Sequence, residues 1–179
     1  MKSNDPERVL LREWGVCRKV REAVASGLYG ELCSLRWSWL SSAGAAELVY
    51  TGVLAEILAA SRELAGGALA RLHIEAVAGR PVCFALAAFE GGVVAEVEIH
   101  QALPHTVPAA RFLMADFSEG RITNRPLVGH HHDEGAFLAT AEGAETMRFE
   151  PMPEVTEAVA DAEIQAVIAA ALRERSEGW

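Results

Sequence analysis

The densest run of groups able to hold a metal or move a proton is His130-His131-His132-Asp133-Glu134. Imidazole and carboxylate ligands suit divalent metals. Adjacent side chains on a strand point to opposite faces, however, so three consecutive histidines do not converge on one ion. Gly129 and Gly135 bracket the run, which reads as a solvated loop. An adventitious or intersubunit metal and a functional site are the alternatives, and no metal site is assigned. A second set is spread along the chain. Arg36, His73, Glu96, Glu98 and His100 fall on the polar sides of alternating segments. They are either ordinary sheet-surface residues or, together, a polar surface for a ligand or a subunit. Trp37 and Trp39 share one side of a strand and could stack on a sugar ring; packing in a core or an interface is the plainer reading.

Nucleophilic chemistry finds less support. Cys17, Cys33 and Cys83 are three in number and lack CxxC spacing, so neither a disulfide framework nor a zinc site follows. Each has apolar neighbours and is expected as a buried free thiol. The sequence contains no G-x-S-x-G elbow, phosphate-binding Walker loop or G-x-G-x-x-G fingerprint. No catalytic residue and no cofactor are assigned.

The chain has 179 residues, 51% hydrophobic and 23% charged, with a net charge of −9. That balance fits an ordered domain with a sizeable core. It argues against nucleic-acid binding, which depends on Lys and Arg at phosphates. The mean hydropathy of +0.14 is high for a monomer and suggests apolar surface covered by a partner. The start, MKSNDPER, is polar and lacks the apolar core of a signal peptide. No apolar run reaches membrane-spanning length. A cytoplasmic protein that does not engage membranes is expected.

The elements that would position these residues can be read in order. Residues 1–14 form an extension that fits either a helix or a short strand. Cys17, Val20 and Val24 recur at helical spacing over 16–26, and Gly27 suits the residue just past a helix end. Residues 31–40 alternate as a strand, with Cys33, Leu35, Trp37 and Trp39 against Ser34, Arg36 and Ser38. An Ala/Leu-rich helix follows over 45–65. Strands are expected over 70–77, 82–89, 93–101, 111–117, 121–125, 135–141 and 145–150. The nearly all-apolar 82–89 reads as covered on both faces. Glu90-Gly91-Gly92 reads as a tight hairpin, and residues 154–175 as a closing helix. The order predicts a single α+β domain over 1–179. It would be an open, mainly antiparallel sheet with helices on one face. The Trp pair and the alternation suggest that its second face is also apolar and meets a partner.

Several of these segments, in this order, resemble one family. GLYGELCSLRW (27–37) is similar to the start of the first strand in the C-terminal domain of Gfo/Idh/MocA dehydrogenases. Residues 43–66 resemble that domain's following helix. FEGGVVAEVEIHQALP (89–104) resembles its central hairpin, and ARFLMADFSEGRITNRP (110–126) the next strand pair. The resemblance spans roughly 15–150. It implies the fold of the glucose-fructose oxidoreductase-like C-terminal domain, without the Rossmann half that carries cofactor and lysine. It also implies a site pattern, D-x-G-x-H, on the helix after the first strand. Here that stretch is Tyr50-Thr51-Gly52-Val53-Leu54, so Tyr50 and Leu54 stand where the family has Asp and His. Leucine cannot accept a proton, and a tyrosine of ordinary pKa is a poor base at neutral pH.

The expectation is a non-catalytic, oxidoreductase-like domain that forms a homodimer through its sheet in a structural, regulatory or accessory role. The alternative is the substrate-binding subunit of a split NAD(P)-dependent sugar dehydrogenase, whose Rossmann domain would be a separate partner polypeptide.

Overall fold

The computed structural model describes residues 14–42, 50–76, 82–104, 106, 109–125, 135–140, 143–148 and 161–177. Helix α1 (Gly15–Ser26) buries Val16, Cys17, Val20 and Ala23 along one side. Its register is offset from the expected one, because Ala23 and not Val24 turns inward; Val24 is 40% exposed. Gly27 ends the helix at φ +62°, and its N–H donates to the Ala23 and Val24 carbonyls. An L side chain would be strained there. Trp14, just before the helix, is buried and tilts against Trp37, with ring centroids 6.4 Å apart. The end of the supposed extension is therefore part of the core, and the rest of it lies outside the described residues.

Strand β1 (Leu32–Ser42) leads to α2 (Tyr50–Ala65) and β2 (Leu69–Ala76). Strands β3 (Val82–Phe89) and β4 (Val94–Leu103) form the expected hairpin. Gly91 and Gly92 both take φ +92° in its turn, which explains the glycine pair. Strands β5 (Ala110–Phe117), β6 (Gly120–Thr123), β7 (Gly135–Thr140) and β8 (Gly143–Arg148) complete the sheet, and α3 (Ala162–Glu177) follows. The strand order is β2-β3-β4-β1-β5-β6-β7-β8. Every pairing is antiparallel except β1 with β4 at the centre. The fold is thus the α+β class read from the sequence, with one parallel pair where the chain crosses over through α2.

The three described helices lie on one face. Leu54, Ile57, Leu58 and Leu64 of α2 are at most 2% exposed and pack on Leu35, Trp37, Val97, Ile99 and Leu113. Asp161 caps α3: its Oδ1 accepts from the Glu163 and Ile164 amides at 3.1 and 3.2 Å. Its Oδ2 accepts from Arg62 Nη2 of α2 at 2.6 Å. That cap sets the start of α3 at 162; the expected helix before 161 lies outside the described residues. No described helix is long and apolar enough to cross a membrane.

Candidate functional site on the open sheet face

Side chains alternate across the sheet, so the face away from the helices is fixed by register. On β1 it carries Ser34, Arg36 and Ser38. Opposite these on β4 stand Val94, Glu96 and Glu98, and on β5 stand Asp116, Met114 and Phe112. Strand β3 adds Phe84 and Leu86, which pair with Glu98 and Glu96 on one side and with Glu75 and His73 of β2 on the other. No described helix covers this face.

At its centre is a depression of about 420 Å³. Arg36, Ser38, Phe84, Leu86, Glu96 and Glu98 form its floor, and His73, Glu75 and Arg125 reach its rim. Phe84 is 50% and Leu86 48% exposed, two of the few large apolar side chains left in water. Arg36 Nε donates to Glu96 Oε2 at 2.6 Å. That bond, and then the Glu96 charge, raises the Arg36 pKa further, so the guanidinium stays charged throughout the accessible range. Ser38 Oγ donates to Glu98 Oε2 at 3.3 Å. His73 Nε2 lies 3.2 Å from Glu75 Oε1. To one side, Asp116 accepts from Ser34 at 3.2 Å and from Arg121. These are solvated pairs suited to hydrogen bonding or charge matching.

The sequence-read residues divide accordingly. Arg36, His73, Glu96 and Glu98 come together in the depression. His100 shares the face but sits at its end beside Val82 and Leu40, with Nδ1 buried and unbonded among the described residues. Trp37 borders the depression, but the rings of Trp37 and Trp39 turn away from it. They are 2% and 7% exposed and face the helices. Trp37 Nε1 donates to Ser61 Oγ of α2 at 2.9 Å, and the Arg111 guanidinium lies 4.4 Å from the Trp39 ring centroid. The supposed apolar second face is thus a mixed one, because the Trp pair went into the core. Cys33 likewise departs from expectation: it is exposed, near the strand's start, while Cys17 and Cys83 are buried. His130, His131 and His132 lie outside the described residues. Among the described residues no three His, Cys, Asp or Glu side chains gather as a metal site.

Sequence reasoning misses Phe84 and Leu86, because the all-apolar β3 reads as covered on both faces. The alternation of large and small in F-A-L-A (84–87) is the signal that was available. Arg125 follows β6, and nothing in the sequence places it near β2.

The two positions where the resemblance puts an acid/base pair are closed to solvent or nearly so. Leu54 is fully buried in the core, and Tyr50 is half-buried against it. A larger cavity, about 720 Å³, lies between the end of α2, Gly66-Gly67 and Asp161. Its Arg62 is bonded to Asp161 and to Glu163, and its Glu63 to Arg21. Neither Tyr50 nor Leu54 lines either cavity.

No protein-family model and no curated protein matches the sequence. Solved structures do match. An oxidoreductase from Agrobacterium radiobacter, in complex with NAD+, L-tartaric acid and magnesium, is 17% identical with a TM-score of 0.61, over 94% of this chain and 54% of that one. UDP-N-acetylglucosamine 3-dehydrogenase from Acidithiobacillus ferrooxidans is 13% identical, with a TM-score of 0.59, over 94% and 51%. A Thermotoga maritima protein taken to be an oxidoreductase is 12% identical, with a TM-score of 0.65, over 92% and 58%. The neighbours are oxidoreductases of the Gfo/Idh/MocA type, and this chain has the fold of their C-terminal domains. It spans a little over half their length.

Proposed function

We propose that this chain is a non-catalytic, oxidoreductase-like domain that associates with a second copy through the open face of its sheet, in a structural, regulatory or accessory role. The observation that carries the reading is Leu54. The position that the resemblance assigns to a proton-accepting histidine holds a fully buried leucine locked into the core. Tyr50, at the aspartate position, packs half-buried on the same core. A hydride transfer between a hydroxyl and a nicotinamide needs a group to take the hydroxyl proton, and this arrangement offers none at that place. The open face supports the association. It has exposed apolar side chains at its centre and charges around them, the arrangement common in protein interfaces.

Two measurements test the two halves separately. Sedimentation equilibrium at micromolar concentration should show a reversible dimer, and a monomer at all concentrations would remove the association. Titration with NADH and NADPH should give no saturable change in nicotinamide fluorescence. Saturable binding would favour the alternative, a substrate-binding subunit that works with a nucleotide-binding polypeptide. Arg36, Glu96 and Glu98 could then serve as ligand groups, but Leu54 would still leave the complemented site without its histidine.

A further inference from the structure

We propose that the depression on the open face is a binding site for an organic ammonium ion with an apolar body, held over Phe84 between Glu98 and Glu75. The site is complete within one copy and goes beyond the association proposed above. Its starting point is an imbalance among the carboxylates described on this face. Glu96 is held by Arg36 at 2.6 Å, Asp116 by Arg121, and Glu75 has His73 at 3.2 Å. Glu98 has no cation among the described residues. Its one hydrogen bond there comes from Ser38 Oγ at 3.3 Å. That is long for a hydroxyl on a carboxylate, which settles at about 2.5–2.7 Å. Glu98 is also half-buried, so part of its water is already lost. A partly desolvated carboxylate attracts a cation more strongly than a fully solvated one does.

Register sets what surrounds it. Phe84 stands between Glu75 and Glu98, paired with the first on β2 and with the second on β4. Directly opposite residues keep their Cβ atoms about 4.5–5.5 Å apart, so the two carboxylates flank one ring. That ring is 50% exposed. An aromatic ring is negative on its faces and attracts a cation within about 6 Å of its centre. Two carboxylates and a ring thus favour positive charge at one place. On the next cross-strand row Leu86, 48% exposed, stands between His73 and Glu96. It gives the hydrocarbon part of the ligand a surface to cover. The depression measures about 420 Å³, within the range of about 300–1,000 Å³ usual for small-molecule sites.

The remaining groups narrow the class of ligand. A bare metal ion needs several oxygen or nitrogen ligands on one point, and no such cluster exists among the described residues. An anion is disfavoured too. Two guanidiniums, Arg36 and Arg125, line the depression with three carboxylates, and Arg36 is already bonded to Glu96. An ammonium with a ring or short hydrocarbon attached uses both the charge and the apolar surface.

The probe is phenethylamine, protonated at neutral pH, added to the full chain at low salt and followed by NMR through the backbone amides of β2, β3 and β4. Saturable shifts centred on Phe84 and Glu98 are expected, with a dissociation constant on the order of 1 mM for so small a ligand. Phenylethyl alcohol, its neutral counterpart, should bind about tenfold more weakly, and phenylacetate should not bind. Butylamine has the ammonium of a lysine side chain but no ring, and should bind severalfold more weakly than phenethylamine. Glu98→Gln should bring the amine down toward the alcohol and leave the alcohol unchanged, a pattern that a misfolded variant cannot give. Phe84→Leu keeps an apolar contact but not the ring's charge, and should weaken the amine about threefold. Equal affinity for amine and alcohol, or full amine binding by Glu98→Gln, overturns the site. Equal affinity for butylamine and phenethylamine overturns its apolar half. A second copy on the same face would compete for Phe84, so the association predicts that amine affinity weakens as protein concentration rises. If it does not, the site stands and the association through this face fails. No saturable binding at any protein concentration overturns the site and leaves the association to its own sedimentation test.

Discussion

Along β3, Cys83, Ala85 and Ala87 face the helices and are at most 7% exposed, whereas Phe84 and Leu86 face away and are 50% and 48% exposed. Over residues 83–87 the strand thus turns its small side chains inward and its large ones outward. The inward face is small because α2 lies close above it, and Leu54, Ile57 and Leu58 fill the space. Nothing of comparable size among the described residues covers Phe84 and Leu86. Leaving each half in water forgoes about 1 kcal/mol apiece. A face that accepts this cost on two adjacent rows is better explained by a partner than by folding alone. The same contrast holds on β1, where Trp37 bonds to Ser61 beneath α2 while Arg36 and Ser38 look out toward Glu96 and Glu98. One face of the sheet carries the core of the chain, and the other leaves Phe84 and Leu86 in water.

The comparison breaks most visibly if aromatic residues on the two faces behave alike. Trp37→Ala removes a 2%-exposed indole, its bond to Ser61 and its contact with Trp14. It should cost about 3–5 kcal/mol in urea denaturation. Phe84→Ala, measured on the monomer at high dilution, should cost below about 1 kcal/mol. It should nevertheless weaken self-association. Comparable losses from both would mean that the open face is core. Next in size is Leu54→His, which puts back the side chain the resemblance calls for. It exchanges a fully buried leucine for a polar ring in apolar surroundings. A loss of about 3 kcal/mol and no gain of nicotinamide binding are expected. A stable variant that binds cofactor would show that the site beside Tyr50 is closed by this one residue alone. A smaller effect separates neighbours on β3. Ala85→Leu overfills the space beneath α2 and should cost about 1–3 kcal/mol. Leu86→Ala should leave monomer stability nearly unchanged.

Much of this architecture was legible. Residues 82–89 matched β3 to the residue, because Pro81 and Glu90-Gly91-Gly92 bound it and every position between is apolar. The helices and the meander followed from period and turn residues. Which face of a strand is buried was harder. Alternation in β1 shows that Leu35, Trp37 and Trp39 share a side, but not whether helices or a partner cover it. That depends on where α2 lands after its crossover, which is long-range information. The same gap hid Phe84 and Leu86, since an all-apolar strand carries no polar marker of its open face. Arg36, His73, Glu96 and Glu98 were found because polar residues at period two leave such a marker. Arg125 could not be, because a coil residue reaches the rim only through the β5–β6 pairing. Cys33 looked like the other thiols in sequence, yet it is the residue at the register shift between Leu32 and Ser34, where Leu32 and not Cys33 pairs with Phe117.

The thiols give the gentlest test of the two environments. Burial pushes the Cys83 thiol from an ordinary 9.0 up to about 11, because a thiolate there would lose its water. A group whose pKa is raised on folding keeps its proton longer in the native state than in the unfolded one. Its contribution is therefore fully present below pH 9 and is lost as pH rises through about 11. Unfolding free energy measured at pH 8 and again at pH 10.5 should fall by about 2 kcal/mol more in the wild type than in Cys83→Ala, where that group cannot titrate. A native-state thiol titration at pH 8 supplies the complementary reading. One equivalent, Cys33, should react within minutes, and Cys17 and Cys83 only on unfolding, because the reagent needs an accessible thiolate. Two fast equivalents would mean that the helix-covered face opens readily, and the division between a closed face and an open one would have to be redrawn.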